Sequence, residues 1–252
     1  NVEAARLLLR QGLPTLYRVH EPPQGDRVES LEQFLRGLGI RITWRGRPKP
    51  RDFEDLVQRI KGREDQHLIM AVLLRAQSLA TYQAVNHGHF GLALEAYAHF
   101  TSPIRRYPDL LVHRAIHHIV KKKPPEEFGY DTPRMKRLAE HCSHRSRRAE
   151  EAERHVIERL KCHYMERHVG DQFTGRVTGV TSFGLFVELD KIAVSGLIHI
   201  TALPNDYYHF DPVLHRLTGE RGGKVFQLAQ KVTVKVVAVN PDEQKIDFEL
   251  EQ

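Results

Sequence analysis

The spacing of apolar residues along the chain changes near residue 170. Before that point apolar residues recur every three or four positions, which predicts amphipathic helices. Beyond it apolar and polar residues alternate, which predicts short strands with one buried face. We therefore expect an α+β protein with two domains, a mainly helical domain over residues 1–169 and a β-domain over residues 170–252.

Prolines and glycines divide the first domain into separate predicted elements. One extended segment, Leu16–Val19, and one buried strand, Asn86–Tyr97, are expected between helices. Pro108 lies inside a predicted helix, so a kink or restart is expected near Tyr107. Besides the helix that the first residues enter, helices are predicted to begin at Ser30, Asp52, Asp65, Pro103 and Pro133 and to end near Gly39, Gly62, Tyr82, Val120 and His168.

The second domain contains five alternating segments that suit a small five-stranded OB-fold β-barrel. One long insertion, Ala202–Gln230, separates the third segment from the fourth. Five short strands with one long connection are typical of this Greek-key architecture. The predicted strands are Phe173–Val180, Phe183–Asp190, Ser195–Ile200, Val232–Val239 and Lys245–Leu250.

The net charge of +6 is unevenly distributed between the two domains. From Asp171 to the end there are 8 Lys and Arg against 11 Asp and Glu, which leaves 30 against 21 for the first 170 residues. The basic first part favours a polyanionic partner. The acidic second part needs aromatic stacking if it binds nucleic acid.

The compartment is predicted from what the sequence does not contain. Two cysteines, Cys142 and Cys162, do not make a disulfide framework, in agreement with a reducing environment. The sequence shows no signal peptide and no apolar run of membrane-spanning length. We therefore expect a cytoplasmic protein without a membrane partner.

The densest chemistry lies in the stretch HFTSPIRRYPDL, residues 99–110. Ser102 before Pro103 predicts a helix N-terminus, because Ser is a favoured cap and Pro a favoured first residue. The free N–H groups of a helix start attract anions, and Arg105 and Arg106 add planar forks suited to phosphate. The stretch predicts a phosphate site, with an ordinary capped helix and solvated arginines as the alternative.

The barrel pattern predicts an aromatic surface on its outer side. Leu185, Val187 and Leu189 alternate with Phe186, which is therefore expected to face solvent. His199 is expected to face outward from the next strand, with Phe183 at the strand edge and Arg176 nearby. Exposed aromatic rings on such a barrel stack on nucleic-acid bases. The alternative is that these side chains are rim residues of a packed barrel.

Other catalytic patterns are absent from the sequence. It contains no glycine-rich phosphate loop and no nucleophile elbow. The histidines and cysteines are too scattered for a zinc site. Asp52 and Asp55 form the closest pair of aspartates in a helical pattern, and they are interpreted as charges near a helix start. A metal-dependent phosphodiesterase needs several converging carboxylates, which this sequence does not show.

Several stretches together resemble a known family. HFTSPIRRYPDLLVHRAI, with GHFGLALEAYAHF, is similar to the signature region of the RNB catalytic domain in the exoribonuclease family of ribonucleases II and R. GRVTGVTSFGLFVELDKIAVSGLIHI resembles an S1 RNA-binding domain, which is an OB-fold. The insertion NDYYHFDPVLHRLTGERGGKVFQLAQKV, followed by VNPDEQKIDFEL, resembles the bacterial ribonuclease R branch. The resemblance covers essentially the whole chain in the same order.

This resemblance implies a processive hydrolytic 3′-to-5′ exoribonuclease. Such enzymes release nucleoside 5′-monophosphates from single-stranded and structured RNA, with two Mg²⁺ ions at the scissile phosphate. Arg105 matches the family's arginine at that phosphate and is implied to be catalytic. The implied RNA contacts are Ser102, Arg106, Tyr107, Arg176, Phe183, Phe186 and His199.

The resemblance also has a gap. The family's magnesium-binding aspartates, an aromatic clamp and two cold-shock domains precede the position that matches Asn1, and Asn1 opens onto a helical pattern without a cap. We therefore expect the C-terminal part of a larger monomeric enzyme, inactive without the remaining N-terminal part. The alternative is a natural RNA-binding or partner-binding protein that has lost catalysis.

Overall fold

The computed structural model describes residues 1–42, 44, 46–204 and 206–251. Gln252, the last residue of the predicted second domain, lies outside the described residues. The described helices are α1 (Val2–Gln11), α2 (Gly25–Gly37), α3 (Pro50–Ile60), α4 (Gln66–Ala76), α5 (Tyr107–Val120) and α6 (Thr132–Met165). The described strands are β1 (Tyr17–Val19), β2 (Thr81–Gln83), β3 (Gln172–Thr181), β4 (Gly184–Leu189), β5 (Ser195–His199), β6 (Tyr208–Asp211), β7 (Arg216–Gly219), β8 (Val225–Gln227), β9 (Lys231–Asn240) and β10 (Lys245–Leu250).

Packing divides the chain into two compact units, each built from several segments. One unit comprises Asn1–Gly25, Trp44–Leu56 and Gln77–Glu151, and the other comprises Asp26–Thr43, Val57–Ala76 and Ala152–Gln252. The helices α3 and α6 contribute residues to both units. The boundary near residue 170 stays a prediction, because the units follow packing rather than sequence order.

The first unit has a core on two sides of α5. Ala5 and Leu8 of α1 meet Val112 and Ala115 of α5 in one buried cluster. In a second cluster, Leu111 of α5 packs with buried residues of α6, among them Met135 and Cys142. Burial of this kind stabilises by about 25 cal/mol per Å² of apolar surface. The helix that follows the stretch at residues 99–110 is therefore held firmly in place.

The second unit contains the predicted five-stranded barrel. Its strand order is β10-β5-β4-β3-β9, and the barrel is closed. β10 and β5 are parallel, whereas the other neighbours are antiparallel. The helical part followed by this barrel confirms the predicted α+β fold. The insertion between β5 and β9, predicted only as a connection, forms a three-stranded sheet β6-β7-β8 among its described residues.

Two predicted helix boundaries are wrong. α2 begins at Gly25 rather than at Ser30, and the Ser30 hydroxyl donates to the Asp26 carbonyl inside the helix at 2.9 Å. α4 ends at Ala76 instead of continuing to Tyr82. Tyr82 pairs with Arg18 across the β1–β2 ladder, so tertiary pairing overrides the local helical pattern.

The segment Asn86–Tyr97 is not the predicted strand. It is a loop that contains a 3-10 turn, Phe90–Leu92. The Asn86 amide closes the loop, because it donates to the Glu95 carbonyl at 2.8 Å and accepts from the Gly88 N–H at 3.1 Å. These side-chain bonds take backbone groups that a strand ladder would use.

No described helix has the length and apolarity required to cross a bilayer. The long helix predicted from Pro133 is confirmed as α6, with a 3-10 turn after it at Glu166–His168.

Candidate functional site

The stretch at residues 99–110 contains a tight turn before α5. The Ser102 carbonyl accepts the N–H groups of Arg105 and Arg106 at 3.3 and 3.0 Å. The helix starts at Tyr107, with Pro108 in its first turn, so the predicted start at Pro103 with Ser102 as its cap is wrong. Pro108 lacks a backbone donor and clashes with a preceding helical turn, which explains why the helix restarts there as the sequence predicted.

A buried carboxylate closes this turn. Asp109 is fully buried, and its Oδ1 accepts the Ser102 N–H at 2.8 Å and the Arg106 Nη2 at 2.7 Å. The Arg106 side chain is 23% exposed in this ion pair. Arg106 therefore points toward the protein and fixes the turn, although the sequence pattern suggested a fork for phosphate. Its role as an RNA contact stays a prediction.

Arg105 and its neighbours form the outward side of the turn. Arg105 is exposed, and none of its side-chain atoms makes a hydrogen bond or ion pair with the residues that the structure describes. Ile104 is 97% exposed and Tyr107 is 43% exposed. The Arg114 guanidinium lies 5.8 Å from the Tyr107 ring centroid. The turn thus presents one guanidinium without a protein partner among described residues, two positions before an exposed tyrosine.

His99 lies in a polar and aromatic cluster behind the turn. Its Nδ1 is 2.9 Å from the Tyr82 hydroxyl, and the Arg18 guanidinium lies over the Tyr82 ring at 4.8 Å. Burial, followed by the charges of Arg106 and Arg18, lowers the pKa of His99 to about 4. The imidazole is therefore neutral at pH 7 and shares a hydrogen bond with the Tyr82 hydroxyl through Nδ1.

The sequence analysis missed Asp109 and Tyr82 as parts of this site. Asp109 lies three residues after Arg106 at a helix start, and that spacing is a signal for an ion pair. Tyr82 was assigned to a helix, so its approach to His99 had no signal in the local pattern. Asp109 acts on the turn through Ser102 and Arg106, and Tyr82 acts through His99.

The barrel carries the predicted aromatic surface, here called the platform and defined as Phe183, Phe186 and His199. Phe183 and Phe186 are 47% and 37% exposed. Their rings are perpendicular, edge to face, with 6.0 Å between the ring centroids. His199 is exposed at the end of β5, and its Nδ1 lies 2.8 Å from the Thr201 hydroxyl. Gly184 of β4 pairs with His199, so the three side chains belong to neighbouring positions. Exposed rings in this arrangement offer faces and edges to bases.

A glycine makes room for the platform. Gly179 pairs with Phe186 across β3 and β4, and a Cβ atom at Gly179 would lie 3.0 Å from the Phe186 ring. Arg176 is on an outward position of β3, yet it is already engaged. Its Nη1 donates to the Ala229 carbonyl at 3.4 Å, and its Nε lies 3.9 Å from Asp190. These two contacts therefore restrain the Arg176 guanidinium at the barrel surface.

The predicted site residues form two groups. Ser102, Arg105, Arg106 and Tyr107 lie together on one turn of the first unit. Phe183, Phe186, His199 and Arg176 lie on the barrel of the second unit. The assignment of Arg105 as catalytic and of the other residues as RNA-binding stays a prediction.

The described residues do not fit a magnesium site. No group of three or more His, Cys, Asp and Glu side chains among them converges on a point where a metal ion would bind. The buried Asp109 Oδ2 has no hydrogen-bond partner within the described part of the chain, but it is a single oxygen atom. Mg²⁺ needs several oxygen ligands in a near-octahedral arrangement.

Comparison with known families identifies the class of protein. Residues 1–122 match the model of the RNB domain, and residues 166–251 match the model of the S1 RNA binding domain. The second match coincides with the barrel and its insertion. The two matched segments together span most of the chain, which therefore combines a part similar to the RNB domain with a part similar to the S1 RNA binding domain.

Among curated proteins, the chain is similar to ribonuclease R. It is 47% identical to ribonuclease R of Vibrio parahaemolyticus over 99% of the chain and 31% of that relative. It is 43% identical to ribonuclease R of Escherichia coli K12 over 99% of the chain and 32% of the relative. The chain thus spans about a third of the length of these relatives.

Solved structures share the fold. The apo form of Mycoplasma genitalium RNase R matches with a TM-score of 0.89 at 24% identity, over 100% of this chain and 40% of the other. The yeast protein Ssd1, described as a pseudonuclease, matches with a TM-score of 0.68 at 22% identity, over 86% of this chain and 27% of the other. The fold therefore occurs in a protein described as lacking nuclease activity, and it does not establish catalysis by itself.

Proposed function

We propose that this chain is part of a 3′-to-5′ exoribonuclease that hydrolyses RNA to nucleoside 5′-monophosphates. The 43–47% identity to ribonuclease R over nearly the whole chain supports this reaction. The observation that carries the proposal is the turn at residues 102–106. It holds Arg105 exposed while Asp109 binds the rest of the turn from inside.

In this proposal Arg105 binds the phosphate to be cleaved. A guanidinium fork matches two phosphate oxygens and stabilises the negative charge that builds up as the bond breaks. Asp109 and Arg106 keep the backbone of the turn in one conformation, so little backbone entropy is lost when Arg105 binds. Tyr107, which is 43% exposed two residues further along the chain, adds an aromatic group to this surface. Ser102 supports the turn through its backbone groups.

The barrel binds the RNA strand by stacking. Phe183, Phe186 and His199 bind bases without strong sequence preference, as suits an enzyme that degrades many RNAs. Mycoplasma genitalium RNase R has been solved with ribose-methylated single-stranded RNA and with double-stranded RNA. We propose that the present protein likewise binds single-stranded and structured RNA, as a cytoplasmic monomer.

Magnesium is part of the proposal only because the resemblance to the ribonuclease II and R family implies it. Because the described residues do not form a site for it, its ligands would lie in a part of the protein outside this sequence. We therefore propose that the 252-residue chain by itself binds RNA without cleaving it.

One experiment tests the reaction. The full-length gene product and the 252-residue chain are each incubated with 5′-labelled RNA in Mg²⁺, and the products are separated by chromatography. We expect nucleoside 5′-monophosphates and progressive shortening from the 3′ end only with the full-length protein, and not with the 252-residue chain. Internal cleavage products would contradict an exonuclease, and early release of the 5′ label as a mononucleotide would contradict the 3′-to-5′ direction.

A second candidate function is RNA binding without catalysis. It is favoured by the lack of a metal cluster among described residues and by the fold likeness to a pseudonuclease. The same assay separates the candidates, because a full-length protein that binds the RNA and leaves it intact in Mg²⁺ supports the binding protein.

A further inference from the structure

A cavity on the barrel unit adjoins the platform. It has a volume of about 580 Å³, and its wall on the barrel side consists of Ser182, Ile200 and Thr201. Small-molecule sites generally measure about 300–1,000 Å³. Ser182 precedes Phe183 in the chain, and the Ile200 N–H donates to the Phe183 carbonyl at 2.9 Å. Thr201 contacts His199. The cavity therefore begins where the platform ends.

The opposite wall belongs to the insertion, and it carries an exposed ring. Asp206, Tyr207 and Tyr208 line this side. Tyr207 is 68% exposed, whereas the neighbouring Tyr208 is buried and donates its hydroxyl to the Pro204 carbonyl at 3.0 Å. The rings of Tyr207 and His209 lie nearly perpendicular to each other, with 5.1 Å between their centroids. Tyr208 thus has a structural role, while most of the Tyr207 side chain is exposed and available to a ligand.

The backbone under Tyr207 is firmly held. Asp206 accepts the N–H groups of Arg221 and Gly222 at 3.0 and 2.7 Å, and these bonds lower the pKa of its carboxyl group. The Tyr207 carbonyl accepts the Glu220 N–H at 2.8 Å. A ring on such a support loses little freedom when it stacks.

The charged groups near the cavity are of both signs. The backbone N–H groups of Gly222 and Arg221 hold the Asp206 carboxylate in its ionised form, and the exposed Arg221 side chain lies near enough for its charge to lower the pKa of that carboxyl group as well. Glu220, the other acidic group nearby, lies 3.8 Å from His209. An aromatic face beside a cation is the combination that binds single-stranded nucleic acid.

We propose that Tyr207 extends the platform and stacks on an additional base of single-stranded RNA, with that base entering the cavity between β5 and the insertion. This inference rests on the proposed function, since it requires that the platform binds RNA. It assigns a binding role to the insertion, which the sequence pattern had identified only as a connection.

Binding of oligoadenylates of two lengths to the full-length protein tests the inference, in chelator so that no RNA is cleaved. OB-folds bind about 4 to 16 nucleotides, so oligomers of about 4 and about 12 nucleotides separate the platform from its extension. Tyr207→Ala is expected to weaken binding of the longer RNA about fivefold, which corresponds to about 1 kcal/mol of lost stacking. Binding of the shorter RNA stays unchanged, and Tyr207→Phe restores the affinity for the longer one.

Two control variants separate the possible failures. Val213→Ala, at a 41% exposed residue of the same insertion outside the cavity, should bind both RNAs as the wild type does. Phe186→Ala should weaken both. Wild-type affinity of Tyr207→Ala for the longer RNA, with Phe186→Ala impaired, overturns the inference and leaves the platform intact. Unchanged binding in Phe186→Ala overturns the platform itself, and with it the extension. Equal weakening of both RNAs by Tyr207→Ala would also overturn the inference.

Discussion

The turn at residues 102–106 and the platform hold their exposed side chains in different ways. The turn depends on a fully buried carboxylate that binds two donors at once. The platform depends on strand alternation, which places Phe186 outward while Leu185 and Val187 fill the barrel. A buried ionic network fails as a whole when one member is lost, whereas exposed rings contribute separately. The two regions should therefore respond differently to single substitutions.

The largest effect is expected from Asp109→Ala. It leaves the partly buried Arg106 guanidinium and the Ser102 N–H without their acceptor. Loss of one partner of a buried pair costs about 3–5 kcal/mol, and the partial exposure of Arg106 places the loss near the lower value. Hydrogen exchange of the α5 amides measures the local free energy of opening.

Two further variants sharpen this prediction. Asp109→Asn keeps an oxygen acceptor without the charge and should lose less than Asp109→Ala. Glu158→Ala removes an ion pair with Lys161 whose side chains are 35% and 26% exposed, and it should cost less than about 1 kcal/mol. A loss of similar size in Asp109→Ala would show that the carboxylate does not organise the turn.

The next effect is on catalysis. Arg105→Ala in the full-length protein is expected to slow single-turnover RNA cleavage by about 10²–10³-fold, the usual cost of removing one donor to developing charge. Its local stability should remain that of the wild type, because Arg105 is exposed and makes no side-chain bond within the described chain. Lys121→Ala, at an exposed cation directly after α5, serves as the control. Cleavage at the wild-type rate would remove Arg105 from the catalytic site.

The sequence predicted the platform better than the turn. Alternation in β4 has a period of two and depends only on which face is buried, so Phe186 and the barrel strands were recovered. At the turn, the Ser-Pro pair predicted a capped helix start. The observed start at Tyr107 is stabilised by the ion pair of Arg106 with Asp109, which local propensity does not include. The contact of Tyr82 with His99 joins distant segments and had no local signal.

Single substitutions in the platform should weaken RNA binding in smaller steps. Phe186→Ala is expected to weaken RNA binding by about 1–3 kcal/mol, because one stacked base loses its partner. Fluorescence anisotropy with single-stranded RNA in chelator measures the dissociation constant. Val237→Ala, at a 42% exposed apolar residue of β9, should leave affinity unchanged. If both variants bind equally, Phe186 is a rim residue of the barrel and the stacking role is wrong.

The smallest effect concerns the dependence of the first unit on pH. The pKa of His99 lies at about 4 in the folded protein and near 6.5 in the unfolded chain, so the unfolded chain takes up the proton first as pH falls. Stability contributed by neutral His99 is therefore complete above pH 6.5 and is lost between pH 6.5 and 4. His99→Asn keeps a hydrogen-bonding group for the Tyr82 hydroxyl but does not titrate, so its melting temperature should fall less over this range. His144→Asn, at an exposed position of α6, should behave as the wild type, and an equally steep fall in His99→Asn would show that burial of His99 does not govern this response.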